Sequence, residues 1–543
     1  MTARELHFRS EAREKLLKGA QQLADAVSLT LGPRSRAVLI EKKWGRPHVC
    51  DDGVTIAKEV ALKDPQENMG VQMLREPAER TQSEVGDGTT TATLLAHAIF
   101  GEGVRNIVAG ANAVDLKRGI EQASQRAIEA FKGLARPVQS KKEKAQVATI
   151  SAHGNTWVGE LVADAIEKVG SEGVITVEEA KGTQTQLEVV EGMQVDNGYL
   201  SAYFVTDAEK MECVLTDAHV LFYDKKISTM KPLLPLLEQV VQKNAALLIV
   251  AEDVEAEALA TLVVNKVRGA LRCVAVKAPG FGDRRKAMLE DMAVLTGGQV
   301  IAEELGVLLE DAKFEQLGRV QRVVVTKDHT TLVGGAGVKA NITARVENIR
   351  KEWQRSTSDY DKEKLQERIA RLSGGVAVVR VGAASEAELK NRKDAFDDAV
   401  SATRAAIAEG IVPGAGLAFL RAVGPVLELE KTLEGDLKTG ARIVRTALEV
   451  ITRTIAQNSG ADGGVVVDKM KSGSGNFGFN AATGQYGDLV EMGVIDPVKV
   501  LRLALENAVS SASTLLLTEA TLVEVPEPKA KAGPPGAPNG DDY

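Results

Sequence analysis

Apolar residues recur at helical spacing through the first part of the chain. Between residues 91 and 108 they share one face of a helix, as Leu94, Leu95, Ile99, Val104, Ile107 and Val108. A second helix is predicted over 113–131, and an earlier one ends at Gly32-Pro33, a sequence that stops helices. The first ~130 residues are therefore predicted to be mainly helical.

The pattern changes after about residue 170. Short β-rich runs follow one another at 174–177, 220–223, 247–250, 274–276 and 319–325. Helical stretches at 233–243 and 255–267 lie between three of these runs, and strand, helix, strand at this spacing is typical of a parallel sheet. The middle of the chain, bounded by Gly192 and Gly374-Gly375, is therefore predicted to be α/β.

From residue 385 the helical period returns. Further helices are predicted over 437–457 and 498–517, and no run approaches 18 apolar residues, so no membrane span is expected. Two helical arms flank one α/β insert, and such arms could pair into one discontinuous domain. Residues 526–543 hold five of the sixteen prolines and no large aliphatic residue, which predicts a disordered tail.

Charge and cysteine content exclude several classes of protein. The formal net charge of −8 argues against nucleic-acid binding through a basic field. The three cysteines are widely spaced, with no zinc-ligand pattern, so a reducing compartment is expected. The first thirteen residues are polar and lack the apolar segment of a secretory signal. A cytoplasmic location follows as the expectation.

The strongest local motif is Gly86-Asp87-Gly88-Thr89-Thr90-Thr91, directly before an apolar helix. Glycines, backbone amides and hydroxyls at a helix N-terminus suit a phosphate, and Asp87 could hold its magnesium. The alternative is an ordinary helix cap, and this motif alone leaves both open. A GxGxxG sequence at 473–478 lacks the strand and helix of a dinucleotide site and is predicted to be a turn.

Four acidic positions have plain structural interpretations when taken singly. Asp51-Asp52-Gly53 is typical of a turn, and Asp496-Pro497 predicts a helix that begins with an Asp cap. Asp398 is predicted to be a solvated carboxylate on its helix. Apolar clusters around 233–237 and 259–264 indicate either core or an exposed protein-binding patch.

Together, these landmarks resemble the group I chaperonins, the GroEL family, from about residue 5 to residue 524. The matching segments in this sequence are 30–33 (TLGP), 52–55 (DGVT), 67–70 (ENMG), 86–91 (GDGTTT), 115–119 (DLKRG), 277–283 (KAPGFGD), 402–406 (ATRAA) and 480–484 (NAATG).

The resemblance implies a multidomain α and α/β fold in which two domains are split along the chain. The helical equatorial ATPase domain takes 1–136 and 410–525, and the small α/β intermediate domain takes 137–191 and 376–409. The α/β apical domain, which binds clients and cochaperonin, takes 192–375, and 526–543 is the tail. Hinges are implied at Pro137, Gly192, Gly375 and Gly410.

The resemblance also implies an ATP site. Asp52 and Asp398 would be catalytic, flanking the γ-phosphate and activating water. Asp87 would ligate Mg²⁺, and Thr30 and Thr90 would take part in a K⁺ site. The nucleotide-binding set is Thr30, Leu31, Gly32, Pro33, Asp51, Asp87, Gly88, Thr89, Thr90, Thr91, Ala415, Asn480, Ala481, Ala482 and Asp496.

An apolar apical patch is implied as the surface for non-native polypeptides and for the mobile loop of a 10 kDa cochaperonin. It comprises Tyr199, Tyr203, Phe204, Leu234, Leu237, Leu259, Val263 and Val264. Partners are expected to be a seven-membered ring of this chain, two such rings stacked back to back, the cochaperonin and clients, with neither nucleic acid nor membrane.

The function expected is an ATP-driven chaperone that captures non-native chains and encloses them in a lidded chamber. The alternative is a specialised paralogue that binds or scaffolds proteins with reduced ATP cycling. Several positions depart from the family pattern: Asp51 stands where Lys is usual, Ser35 and Ala415 where Gly is common, and Asn197 where Arg is usual.

Overall fold

The structure, a computed structural model, describes residues 4–42, 47–170, 173–180, 182–208 and 210–524. They form two compact units. Unit 1 joins the described residues up to Gly159 with those from Asp398 onward, and unit 2 is Glu160–Asp397. One compact unit is thus built from two separate stretches of chain. The predicted tail at 526–543 lies outside the described residues.

The first stretch is mainly helical, as the pattern predicts. Its elements are β1 (Arg4–Phe8), α1 (Arg9–Ser28), β2 (Val38–Ile40), β3 (His48–Cys50), α2 (Gly53–Glu59), α3 (Pro65–Val85), α4 (Thr89–Val108), α5 (Ala113–Leu134), α6 (Lys141–Ser151) and α7 (Thr156–Val169). Local chemistry sets the ends of α3, because Asp64 accepts the amide hydrogens of Gln66 and Glu67 at its start and Gly86 turns left-handed at its end.

The middle stretch alternates strands and helices. Its elements are β4 (Val174–Glu179), β5 (Gln186–Val190), β6 (Gly192–Val195), β7 (Cys213–Ile227), α8 (Leu234–Gln242), β8 (Ala246–Val254), α9 (Ala256–Val267), β9 (Arg272–Lys277), α10 (Gly282–Thr296), β10 (Val300–Ile301), β11 (Gly318–Val325), β12 (Thr330–Gly335), α11 (Lys339–Arg355), α12 (Asp359–Gly374) and β13 (Val376–Val381).

Two sheets organise unit 2. The larger has the strand order β6-β12-β11-β7-β8-β9, with β10 paired to β7. Strands β7, β8 and β9 run parallel, which confirms the strand-helix-strand prediction for the middle of the chain. The smaller sheet has the order β4-β13-β5, and its central strand comes from a stretch some two hundred residues later than its first.

The last stretch is helical again, with short strands. Its elements are α13 (Glu386–Glu409), β14 (Ile411–Pro413), α14 (Leu417–Thr432), α15 (Gly435–Ala447), α16 (Val450–Asn458), α17 (Gly463–Ser472), β15 (Phe477–Asn480), β16 (Gln485–Asp488), β17 (Ile495–Pro497), α18 (Val498–Leu517) and β18 (Ala520–Glu524). The prediction of one helix over 437–457 is wrong, since α15 and α16 are separate helices. The first four residues of the GxGxxG sequence, 473–476, form the predicted turn between α17 and β15, and its last two residues begin β15.

The core of unit 1 is aliphatic and is shared by both chain segments. Helices α4 and α5 from the first segment pack against α15 and α18 from the second, and β1 pairs antiparallel with β18. By length and composition α18 could cross a membrane, but 72% of its apolar stretch is buried inside the protein. Packing in the core therefore accounts for its apolar character.

The three cysteines are buried, and none of them is in a disulfide. Burial raises the pKa of Cys213 to about 11 and that of Cys273 to about 12. These two thiols stay protonated and behave as small core residues.

Candidate nucleotide site and apolar surface

The motif at 86–91 starts α4 without a side-chain cap. Gly88 stands before the helix in the left-handed conformation, with φ 80°. The Asp87 carboxylate accepts the N–H of Gly88 at 2.6 Å rather than an amide of the first helical turn. The ordinary-cap alternative is therefore not what the structure has, and the first amides of α4 remain available to a ligand.

Three threonine hydroxyls meet beside this helix start. The Oγ1 atoms of Thr30 and Thr90 are 3.1 Å apart. A Cβ atom at Gly53 would lie 2.2 Å from Oγ1 of Thr90, 3.4 Å from that of Thr30 and 3.5 Å from that of Thr89. We call Thr30, Thr89 and Thr90 the hydroxyl cluster; its space exists because residue 53 has no side chain.

Two carboxylates border the hydroxyl cluster. Asp52 caps α2 by accepting the amide of Thr55 at 2.9 Å, so the predicted turn at 51–53 is a helix start. Burial raises the pKa of the Asp87 carboxyl, and the negative charge of Asp52 raises it further, while the amide of Gly88 acts in the opposite direction. A pKa raised in this way means that a cation nearby would be stabilising. Asp51 is exposed.

Asp398 lies against the same motif. Its Oδ1 accepts a hydrogen bond from Nε2 of Gln82 at 3.1 Å. A Cβ at Gly86 would come within 2.6 Å of Cβ of Ser401 and 3.7 Å of Cα of Asp398, so only glycine permits this approach. The prediction of a solvated surface carboxylate is therefore wrong, because packing of α13 on the 86–91 motif half-buries the side chain.

Asp496 is not a helix cap, so the sequence prediction for Asp496-Pro497 is wrong. It belongs to β17, opposite Val412 of β14, and α18 begins at Val498 after Pro497. Burial, assisted by the charge of Asp87, raises the pKa of Asp496 to about 7. Nearby, Ala415 has a left-handed φ of 54°, and its carbonyl accepts the hydroxyl of Thr452 at 3.1 Å.

The segment 480–482 is tied to the loop at 30–33. Oδ1 of Asn480 accepts the amide of Ala482 at 3.0 Å, and the carbonyl of Ala482 accepts a hydrogen bond from Arg34 at 3.0 Å. Ala481 is buried beside them. Leu31 and Gly32 are half-buried and Pro33 is exposed.

Sequence reasoning missed Asn458, which shapes this loop. Its Nδ2 donates to the carbonyls of Ser28 and Leu31 at 2.8 and 2.9 Å and so holds the chain where α1 ends. An asparagine at a helix end is common, and no local pattern marks this one; only the packing of α16 on the loop identifies it.

The donor atoms at this site are carboxylate and hydroxyl oxygens, which suit hard cations such as Mg²⁺ and K⁺. Within the described part of the chain, no group of three His, Cys, Asp or Glu side chains is placed to hold a metal alone. A divalent ion would therefore need oxygens from phosphate and water beside Asp87. The residues fit an ion shared with a nucleotide.

The predicted apolar patch lies in unit 2, and its members differ in exposure. Tyr203, Leu234 and Val264 are exposed, at 70%, 46% and 45%. The other predicted members are half-buried or buried, namely Tyr199, Leu259, Val263, Leu237 and Phe204. Phe204 is fully buried in the core of unit 2 and is not part of the exposed surface.

A lysine holds the patch together. Nζ of Lys266 on α9 donates to the carbonyls of Tyr203 and Val205, each at 2.8 Å. The backbone at Tyr203 is thereby tied to the helix that carries Val264.

The predicted hinge positions lie in two pairs, Pro137 with Gly410 and Gly192 with Gly375. In each pair, two segments that are distant in the chain lie side by side. At the first, Arg136 and Ile411 exchange backbone hydrogen bonds next to Pro137 and Gly410. At the second, a Cβ on Gly375 would lie 2.9 Å from the carbonyl oxygen of Val190, two residues before Gly192. Gly410 and Gly375 have φ of 85° and 65°, a conformation that other residues adopt at a cost.

Comparison with known proteins agrees with this architecture. The model of the TCP-1/cpn60 chaperonin family matches residues 23–526. The chain is 61% identical over 534 residues to Chaperonin GroEL 5 of Bradyrhizobium diazoefficiens, which covers 98% of this chain and 99% of that protein. Similarity of this extent does not favour the alternative of a specialised binding protein. The chain therefore belongs to the TCP-1/cpn60 chaperonin family, as a group I chaperonin of the GroEL type, and acts as a chaperone in protein folding.

Proposed function

We propose that the site in unit 1 binds and hydrolyses ATP and that this hydrolysis drives the folding of non-native polypeptides. The observation that carries the proposal is the hydroxyl cluster at Gly53, bordered by Asp52 and Asp87 at the uncapped start of α4. Amides, hydroxyls and carboxylates around one small space are what a metal-bound triphosphate needs.

In this proposal the loop at 30–33 and residues 87–91 hold the phosphates, and Asp87 provides the carboxylate for Mg²⁺. Bound Mg²⁺ would offset negative charge on the phosphates. Asp52 and Asp398 accept hydrogen bonds from the attacking water and orient it. Asn480, Ala481 and Ala482 line the nucleoside side with Ala415, and Asp496 accepts a ribose hydroxyl.

A monovalent cation, K⁺, is proposed at Thr30 and Thr90, whose hydroxyls are already in contact. Asp51 stands next to this position with a negative charge. We propose that this charge weakens nucleotide binding or changes the dependence on K⁺, because like charges close to phosphate repel.

The apolar patch of unit 2 is proposed as the surface for clients and for a 10 kDa cochaperonin. Exposed apolar side chains such as Tyr203 and Leu234 offer contact without directional requirements, which suits any chain that exposes its own core. Seven copies of this chain would form a ring, with a second ring stacked back to back. The proposed location is the cytoplasm, in keeping with three cysteines that form no disulfide.

ATP binding would act through the hinges at Pro137, Gly192, Gly375 and Gly410. Rotation there would withdraw the apolar patch from the client, and the client would then be released into a closed chamber. Because Asp398 lies on the long helix α13, hydrolysis would depend on where that helix stands relative to the 86–91 motif.

The test uses the assembled protein with Asp398→Ala. We expect the variant to bind ATP at close to wild-type affinity but to lose hydrolysis by about 10²-fold or more. The variant should not carry a denatured client through repeated rounds of refolding, either with or without cochaperonin. Hydrolysis at the wild-type rate in Asp398→Ala, or full client recovery without ATP, would contradict the mechanism.

A further inference from the structure

Arg421, on the second turn of α14, makes three hydrogen bonds to backbone carbonyls of a single segment. Its Nε donates to Gly475 at 3.0 Å, its Nη1 to Met470 at 2.9 Å and its Nη2 to Phe477 at 3.3 Å. These carbonyls belong to the last turn of α17, to the GxGxxG turn and to the first residue of β15.

No carboxylate shares this guanidinium among the described residues, and it is half-buried. Three carbonyl dipoles, one of them at the negative end of α17, stabilise the positive charge. Burial lowers the pKa of Arg421, yet an arginine remains charged at neutral pH. A planar fork with donors in fixed directions can satisfy three carbonyls at once, whereas the ammonium of lysine cannot reproduce that geometry.

Arg421 links the two chain segments to which the proposed function assigns the nucleoside. Ala415 lies two residues before α14 begins at Leu417, and β15 leads from Phe477 to Asn480. At the far end of β15, Arg34 holds the carbonyl of Ala482. Arg421 thus anchors the near end of the strand to the element that carries the opposite wall.

We propose that Arg421 is a positioning residue that sets the width of the nucleoside pocket between Ala415 and Asn480, and so governs affinity and selectivity for the base. The inference rests on the proposed function of this site. It also gives the GxGxxG turn a role, since the turn presents its carbonyls to the guanidinium and needs no nucleotide of its own.

The experiment compares Arg421→Lys and Arg421→Met with wild type in the assembled protein. The measurements are KM and kcat for ATP hydrolysis, the ratio of ATP to GTP affinity by calorimetry, and the thermal unfolding midpoint. We expect KM for ATP to rise about tenfold and the ATP/GTP ratio to fall in Arg421→Met, with kcat little changed and a smaller effect in Arg421→Lys.

The matched control is Arg442→Lys. Arg442 is an arginine of the same unit whose Nε donates to Glu430 at 3.0 Å. It should leave KM and the ATP/GTP ratio at wild-type values.

Three results would overturn the inference. The first is wild-type affinity and base selectivity in both variants of Arg421. The second is a fall in kcat and unfolding midpoint with KM and selectivity unchanged, which would show a merely structural role. The third is an absence of ATP binding in wild type. Because this result is seen in the unsubstituted protein, it would show that the proposed function itself is wrong, and not only the role of Arg421.

Discussion

Thr30 and Thr90 are sixty residues apart in the chain, yet their hydroxyl oxygens lie 3.1 Å from each other. One stands where α1 ends and the other in the first turn of α4. Their contact, with Gly53 beside it, forms a space lined by oxygen atoms between two aspartates. The first prediction concerns that space.

Gly53→Ala is expected to weaken nucleotide binding strongly. The new methyl group would lie 2.2 Å from Oγ1 of Thr90 and occupy the space where the three hydroxyls meet. Calorimetric titration with ATP should show a loss of affinity of about 10²-fold or more. Gly424→Ala is the control, because a Cβ there has no neighbour within 4 Å. Equal ATP affinity in both variants would refute the assignment of the site.

Asp51→Lys is expected to tighten nucleotide binding or lower the K⁺ concentration needed for half-maximal hydrolysis. The change replaces an exposed negative charge next to the hydroxyl cluster with a positive one, and screening by water limits the effect to less than about tenfold. The measurement is the ATPase rate of both proteins against K⁺. Superimposable titration curves would show that the charge of Asp51 affects neither nucleotide binding nor the dependence on K⁺.

Asp496 should make the stability of unit 1 depend on pH. Its pKa is about 7 in the folded protein against an ordinary value of 3.8, so the folded state holds the proton more tightly than the unfolded chain. The free energy of unfolding should therefore fall as the pH rises from about 4 to about 7 and then level off.

Asp496→Asn removes this titration. The difference in unfolding free energy between the variant and wild type should therefore shift in favour of the variant from pH 5 to pH 8. Urea unfolding at both pH values measures this difference. Asp468→Asn, at a position for which no such burial applies, serves as the control. A difference between wild type and Asp496→Asn that is the same at both pH values would show that the raised pKa does not govern stability.

Tyr203 and Phe204 are neighbours in sequence with opposite exposures, and they should separate client binding from stability. Phe204→Ala opens a cavity in the core of unit 2 and should cost about 3–5 kcal/mol of unfolding free energy. Tyr203→Ala removes a ring that is 70% exposed, so stability should change by less than about 0.5 kcal/mol.

The second measurement for this pair is the capture of a denatured client. Tyr203→Ala should capture the client more weakly although it remains fully folded. Undiminished capture by Tyr203→Ala would place the client surface elsewhere.

Much of the secondary structure follows from local patterns. The apolar period over 91–108 predicts α4, and the β-rich runs at 220–223, 247–250 and 274–276 correspond to β7, β8 and β9 in a parallel arrangement. These elements are predictable because each buries a continuous apolar face, and a face of that kind is written in neighbouring residues.

The predicted boundaries of elements are wrong where contacts with distant chain segments determine the structure. The stretch 437–457 has one apolar period but forms two helices, and Asp496 joins a strand because β14 pairs with it. Strand β1 is mostly polar and exposed, so its own sequence does not mark it, and it forms by pairing with β18. Pairing over such separations is invisible to propensity.

The sequence by itself determined the family, and it named the acids and the apolar residues on which the proposed function rests, because these are residue identities at matched positions. Only the tertiary structure decided that Asp398 packs near Gly86, that Phe204 is buried while Tyr203 is exposed, and that Arg421 holds β15. The reason is physical: a motif states which groups are present, whereas distances between groups depend on how helices far apart in the chain pack together.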